Sequence, residues 1–201
     1  FIMKTIFKIL FIGLLFGIIS SNGLAQNLMF SNPIIKGGYP DPSICRVGED
    51  YYIVNSSFEY FPGLPIHHSK DLVNWTLIGH GLHKKEQCTG RMNLVDVQSN
   101  GGIHAPTIRY HNGKFYIITT NVYQPKKENP AQMINFIITA SDPKGPWSNP
   151  IIVEGAPGID PDIFFDDNGK IYFTGTHSPE NPNFSGEGEI WIQELDSTSF
   201  Q

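Results

Sequence analysis

Two aspartates, Asp41 and Asp160, open copies of one short phrase, and their type and spacing point to chemistry. The phrase occurs at residues 41–44 (DPSI), 105–108 (APTI) and 160–163 (DPDI), and the middle copy begins with Ala105 instead. A carboxylate can accept or deliver a proton, so two carboxylates at equivalent places are candidates for general acid–base chemistry. The sequence therefore predicts a site wherever the fold brings these copies together.

Each copy of the phrase is followed by a pattern typical of a β-hairpin. Turn residues and strand-like runs alternate at residues 48–54, 111–118 and 166–173. A period of roughly 50 to 60 residues with several short strands per repeat is typical of β-propeller blades. No long stretch has helical periodicity, so the predicted class is all-β.

The repeats predict three blades, which we expect at about residues 33–79, 101–152 and 158–201, with loops at 80–100 and 177–188. Asp41 and Asp160 should occupy equivalent positions in two of them and face one central axis. Propellers typically have about 4 to 8 blades, so three blades cannot close a ring. The sequence therefore resembles the front part of a larger domain.

A second repeated element supports this division into blades. Residues 69–75 and 141–147 both place Ser and Asp in a tight turn before a tryptophan, Trp75 or Trp147. Asx-type hydrogen bonding explains the aspartate, and we expect the tryptophans to pack between blades rather than to stack on a sugar. Asp196 begins the same turn in the third repeat.

Composition excludes several classes of function. The net charge of −5, without a basic run, argues against binding to nucleic acid or to an anionic membrane surface. Cys45 and Cys88 are too few for a disulfide scaffold, so a buried free thiol is expected at each, with a single bridge as the alternative. No metal site is predicted, because the histidines show no metal-ligand spacing: His67, His68, His83 and His177.

The N-terminus has the pattern of an export signal. Lys4 and Lys8 precede an apolar run at residues 9–19, and Gly23 and Ala25 suit cleavage before Gln26. The run is shorter than the roughly 20 residues that span a bilayer. We therefore predict a signal peptide at residues 1–25, export to the periplasm or the extracellular space, no stable membrane insertion after cleavage, and a domain at residues 26–201.

Four phrases in register carry a resemblance to a known family. Residues 38–44 (GYPDPSI), 58–63 (FEYFPG), 67–75 (HHSKDLVNW) and 158–163 (GIDPDI) resemble glycoside hydrolase family 43, in its β-xylosidase and α-L-arabinofuranosidase branch. The resemblance covers residues 32–201. It implies the first three blades of a five-bladed β-propeller, and an O-glycosyl hydrolase that cleaves xylosyl or arabinofuranosyl linkages of xylan, arabinoxylan or arabinan with inversion.

The implied mechanism assigns a role to each carboxylate. An inverting glycosidase needs a general base and a general acid roughly 6.5 to 9.5 Å apart. By the match to the family, Asp41 would be the base, and Asp160 would keep the pKa of the acid high and help to orient the substrate. The acid is expected in a Glu-Gly-Pro phrase of a fourth blade, which these 201 residues lack, so we expect this fragment to be inactive. The chemistry requires no cofactor, and a structural calcium ion is compatible with the sequence without being indicated by it.

Three further residues are implied in substrate binding. Phe58 matches an aromatic residue of the sugar pocket, with a core position beside Phe61 as the alternative. His104 stands where the family often has tryptophan and would bond a sugar hydroxyl group, with a merely packed or surface position as the alternative. Ala105 follows it in the middle copy of the phrase. Asp162, in turn, is interpreted as a structural polar residue.

Two other functions compete with hydrolysis of xylosides or arabinosides. A carbohydrate-binding propeller that has lost catalysis would explain the absence of the acid. A retaining fructosidase-like furanosidase would use the first aspartate as a nucleophile, but it usually has Arg-Asp-Pro where this chain has Ile159, Asp160 and Pro161. The sequence does not choose between xylose and arabinose.

Overall fold

Three antiparallel β-sheets form the fold in this computed structural model, which describes residues 29–95 and 97–201. Residues 32–201 form one unit. The predicted signal peptide at residues 1–25 lies outside the described residues. Within the described part, no helix has the length and apolar character needed to cross a membrane.

The strands of each sheet follow one another in chain order, as the hairpin patterns predict. The first sheet contains β1 (Ser43–Val47), β2 (Asp50–Val54), β3 (Gly63–Ser69) and β4 (Thr76–Leu82). The second contains β5 (Gly102–His111), β6 (Lys114–Tyr123), β7 (Gln132–Ala140) and β8 (Ile151–Ile152). The third contains β9 (Ile159–Phe165), β10 (Ile171–His177) and β11 (Glu189–Leu195). These sheets are the three predicted blades.

The predicted end of the first blade is wrong by a few residues. Strand β4 continues past residue 79 to Leu82, and two 3₁₀ turns, Lys85–Gln87 and Gly90–Met92, follow it. The glycines near its end resemble a turn, but Gly81 serves close packing. A Cβ at Gly81 would lie 2.9 Å from Ile138 and 3.0 Å from Leu64. His177 likewise belongs to β10 rather than to the following loop.

The second blade is buried on both faces, and this explains its unbroken apolar runs. Side chains alternate between the faces of a strand, so Ile117 and Ile118 of β6 enter different cores. Ile117 packs with residues of the first blade, such as Leu64. Ile118 packs with residues of the third blade, such as Phe173. Each core therefore stabilises the contact between two neighbouring blades.

The aspartates of the repeated turn make the expected Asx bonds. Asp71 Oδ1 accepts hydrogen bonds from the backbone N–H of Val73, at 2.9 Å, and of Asn74, at 2.7 Å. These bonds, from Asn74 above all, hold the pKa of Asp71 well below its usual range. Asp196 accepts from the N–H of Thr198 at 3.0 Å, so the third repeat has the same turn.

The two tryptophans of the turns differ in burial. Trp147 lies in the core between the first and second blades and is only 2% exposed, as the packing interpretation predicts. Its indole N–H donates to the Pro143 carbonyl at 3.3 Å. Trp75 is half-buried and donates to the Leu72 carbonyl at 3.0 Å. The packing prediction is therefore confirmed for Trp147, whereas the hydrogen bond of Trp75 lies within its own turn.

Both cysteines are free, which confirms the predicted thiols, although they are half-buried rather than fully buried. Burial raises the pKa of Cys88 to about 11 and also raises that of Cys45. Because the thiolate is the reactive form, we expect the native protein to react with a disulfide reagent more than about tenfold more slowly than the denatured protein. Without reductant, the denatured protein should yield both thiols. Fast labelling of the native state, or a missing thiol, would contradict this structure.

Candidate active site

The three repeated phrases begin the three innermost strands in one register. Ser43 pairs with Val54 between β1 and β2, Thr107 pairs with Ile118 between β5 and β6, and Asp162 pairs with Thr174 between β9 and β10. Asp41, Ala105 and Asp160 each lie two positions before these three residues, in the same order. These three positions are therefore structurally equivalent, as the sequence predicts.

All three equivalent positions have left-handed backbone geometry. The φ angle is 51° at Asp41, 37° at Ala105 and 56° at Asp160. Non-glycine residues rarely adopt positive φ, and aspartate does so more readily than alanine. Ala105 nevertheless adopts this conformation in the second blade. The backbone turn is therefore a requirement of the fold, whereas the carboxylate is not.

One cleft of about 440 Å³ lies among the three strand entries. It brings together the two predicted catalytic residues, Asp41 and Asp160, although they are far apart in the chain. Ala105 lies between them in the repeat and also lines the cleft. The other polar lining residues are Ser43, Thr107 and Arg109. The cleft can thus offer two carboxylates, two hydroxyl groups and a guanidinium group to a polar ligand.

The Asp41 carboxylate is held by a residue that sequence reasoning missed. The Ser56 hydroxyl donates to Asp41 Oδ2 at 2.6 Å, and the Ala105 N–H donates to Ser56 Oγ at 2.6 Å. Ser56 is buried, with 2% exposure. Next to it, the Asn55 amide donates to the carbonyls of Tyr39, at 2.8 Å, and Pro40, at 3.1 Å. The segment after β2 therefore fixes the turn that carries Asp41.

An ion pair joins the inner strands of the second and third blades. Arg109 of β5 binds Asp162 Oδ2 of β9 at 2.5 Å, and the Ile163 N–H donates to Asp162 Oδ1 at 2.7 Å. Asp162 thus takes part in a structural contact, in agreement with its interpretation from the sequence. Sequence reasoning missed Arg109, although it follows Thr107 by two residues and so shares its face of the strand.

Two of the predicted substrate-binding residues form a ring pair next to the cleft. The rings of Phe58 and His104 are 5.0 Å apart between centroids and meet edge to face. Phe58 is held by reciprocal backbone hydrogen bonds with Ile103, at 2.9 and 3.0 Å. His104 Nε2 lies 3.0 Å from the Asn100 carbonyl oxygen, to which it donates. Ala105 lines the cleft itself, and the ring pair adjoins it through the His104–Ala105 peptide.

No cluster that suits a metal ion lies near this cleft or elsewhere in residues 29–95 and 97–201. Nowhere in these ranges do three or more His, Cys, Asp or Glu side chains converge as metal ligands would.

Consecutive antiparallel blades with their inner strands around one polar cleft define a β-propeller domain. Its family follows from comparison with known proteins. The profile of Glycosyl hydrolases family 43 matches residues 30–201, and this chain belongs to that family.

Two curated relatives are about half identical to this chain over the regions that align. It is 51% identical over 169 residues to a protein of Butyrivibrio fibrisolvens named "Xylosidase/arabinosidase", covering 83% of this chain and 30% of the relative. It is 49% identical over 179 residues to a non-reducing end alpha-L-arabinofuranosidase of Bacteroides ovatus, covering 89% of this chain and 31% of the relative. This chain therefore spans about a third of the length of these relatives.

Solved structures agree with the fold. A xylan beta-1,4-xylosidase from Bacillus halodurans C-125 superposes with a TM-score of 0.72 at 39% identity, covering 85% of this chain and 31% of that one. A family 43 protein from a capybara gut metagenome gives a TM-score of 0.71 at 43% identity, covering 86% and 31%. The three sheets are thus blades of the family's propeller.

Proposed function

We propose that this chain supplies part of the catalytic domain of an exported glycoside hydrolase that removes xylosyl or arabinofuranosyl units from plant hemicellulose or arabinan. The observation that carries the proposal is the presence of Asp41 and Asp160 at equivalent entries to one cleft. The names of the relatives support the substrate class. The export part of the proposal rests on the signal pattern at residues 1–25.

In the proposed reaction, hydrolysis inverts the configuration of the anomeric carbon. Asp41 removes a proton from a water molecule as the water attacks one face of the sugar, and a carboxylic acid protonates the leaving oxygen on the other face. The acid comes from a part of the complete polypeptide outside these 201 residues. Asp160 orients the sugar and keeps the pKa of that acid high. Water and carboxylates suffice for these steps, so the proposal needs no cofactor.

The proposed sugar site uses the walls of the same cleft. Ala105 has a small side chain, and this leaves room between the two carboxylates for a sugar ring. Arg109 and the hydroxyl groups of Ser43 and Thr107 are donors for sugar hydroxyl groups. The Phe58 and His104 rings would form an aromatic wall beside them.

The proposal is tested by assaying the complete polypeptide beside the 201-residue chain. The substrates are 4-nitrophenyl β-D-xylopyranoside and 4-nitrophenyl α-L-arabinofuranoside. We expect the complete polypeptide to hydrolyse at least one of them and the 201-residue chain to hydrolyse neither. Binding of xylo- or arabino-oligosaccharides without hydrolysis by the complete polypeptide would favour a carbohydrate-binding propeller. Activity of the 201-residue chain alone would contradict the proposed origin of the acid.

A further inference from the structure

The hydrogen-bond chain at Ser56 has a fixed direction. A backbone N–H can only donate, so the Ala105 amide gives its proton to Ser56 Oγ. The single hydroxyl proton of Ser56 is then free for Asp41 Oδ2, at 2.6 Å. The Ser56 N–H donates to the Pro40 carbonyl at 3.1 Å, which anchors the serine to the residue before Asp41. Ser56 therefore binds the turn that carries Asp41 through both its backbone N–H and its hydroxyl proton.

The equivalent residues of the other blades also have hydroxyl groups but use them differently. In each blade, the second strand has one residue that pairs with the equivalent position of the inner strand, and Ser56, Thr120 and Thr176 each lie two positions after it. Thr120 and Thr176 therefore correspond to Ser56. Thr120 Oγ1 donates to Asn135 Oδ1 at 2.7 Å, and Thr176 Oγ1 donates to the Ile159 carbonyl at 3.4 Å. Of the three equivalents, all within the described residues, only Ser56 donates to a carboxylate. The Asp41 carboxylate therefore accepts a hydrogen bond from this position, whereas the hydroxyl group at the equivalent position near Asp160 donates to a backbone carbonyl. The two aspartates nevertheless have similar φ angles.

We propose that Ser56 is a positioning residue that holds the Asp41 carboxylate for proton transfer and ties it to the neighbouring blade through the Ala105 amide. This inference rests on the proposed function, in which Asp41 is the general base. With Oδ2 engaged by Ser56, Oδ1 is left to accept the proton of the attacking water. A base must stay within hydrogen-bond reach of that water, and a displacement of about 1 Å can lower a rate by about 100-fold.

The first test is removal of the hydroxyl group in the complete enzyme. We expect Ser56→Ala to lower kcat by about 10- to 100-fold with little change in KM. Ser56→Thr should retain most of the activity, because threonine occupies the equivalent positions 120 and 176. The matched control is Thr176→Val, which removes a hydroxyl group from the same register of the third blade and should leave kcat unchanged. If Ser56→Ala does not fold, Ser56→Cys replaces it, since a thiol has a similar shape but donates weakly.

A double-mutant cycle separates positioning from a merely structural role. If Ser56 acts through Asp41, adding Ser56→Ala to Asp41→Asn should change kcat by less than about twofold, because coupled residues are non-additive. An equal loss in both backgrounds would overturn the inference, and so would a normal kcat for Ser56→Ala alone. Near-normal turnover by Asp41→Asn would instead overturn the proposed function. The two failures are therefore distinguishable.

Discussion

Replacement of Asp41 by alanine is expected to lower kcat of the complete enzyme by about 10²- to 10⁴-fold, the usual contribution of general-base catalysis. Asp41 lines the cleft and carries the carboxylate that Ser56 holds. The fold should survive the change, because Ala105 already has alanine at the equivalent position, with a φ of 37°. The measurement is steady-state hydrolysis of an aryl glycoside, together with the circular dichroism spectrum and the thermal midpoint.

The matched control for Asp41 is another exposed aspartate that lies in a turn. Asp167 lies in the turn between β9 and β10, outside the cleft lining. Asp167→Ala should leave kcat unchanged. Near-normal turnover by Asp41→Ala in a well-folded protein would refute the assignment of the base, whereas equal losses in both variants would indicate a general effect of removing negative charge.

The largest expected effect on stability comes from Gly158, at the entry to the third inner strand. Its φ is +71°, and a Cβ there would lie 1.7 Å from the Thr176 carbonyl oxygen and 2.8 Å from His177 Cβ. Strands β9 and β10 would have to separate to admit a methyl group. We expect Gly158→Ala to reduce the free energy of unfolding by more than about 4 kcal/mol, which is exceptional for one substitution, or to prevent folding.

Gly169→Ala isolates the contribution of backbone strain. Gly169 also has positive φ, at +87°, but lies in a hairpin turn with no atom within 4 Å of a Cβ built there. Its replacement should cost only about 1 to 2 kcal/mol, the strain of an L-residue in the left-handed region. Chemical denaturation of both variants supplies the comparison. Losses of similar size would show that the close approach of Gly158 to Thr176 is not a feature of the folded protein.

The sequence predicts the blades because their signals are local. The first hairpin of each blade spans only 12 to 22 residues. In the turns at Asp71, Asp142 and Asp196, the aspartate carboxylate accepts a hydrogen bond from a backbone N–H only two residues further along the chain. The sequence places the end of the first blade too early, because Gly81 resembles a turn residue and its packing partners, Leu64 and Ile138, are distant in the chain.

The repeat also predicts that Asp41 and Asp160 meet at one site, but it does not reveal what holds each carboxylate. The Ser56–Asp41 bond, the Ser56–Ala105 bond and the Arg109–Asp162 ion pair join residues 15, 49 and 53 positions apart. Two of these contacts cross between blades, so they depend on how the sheets stack. The signal for Ser56 was present in the sequence, since all three repeats have a hydroxyl residue there, but only the structure gives its partner.

The most direct test of the central claim is the configuration of the first sugar that the complete enzyme releases. Proton NMR, recorded before mutarotation equilibrates the anomers, distinguishes the two configurations. Inverting action predicts that α-xylose appears first from a β-xyloside, or that β-L-arabinose appears first from an α-L-arabinofuranoside. First release of the anomer with the configuration of the substrate would show retention, and it would contradict the assignment of Asp41 as a general base acting on water.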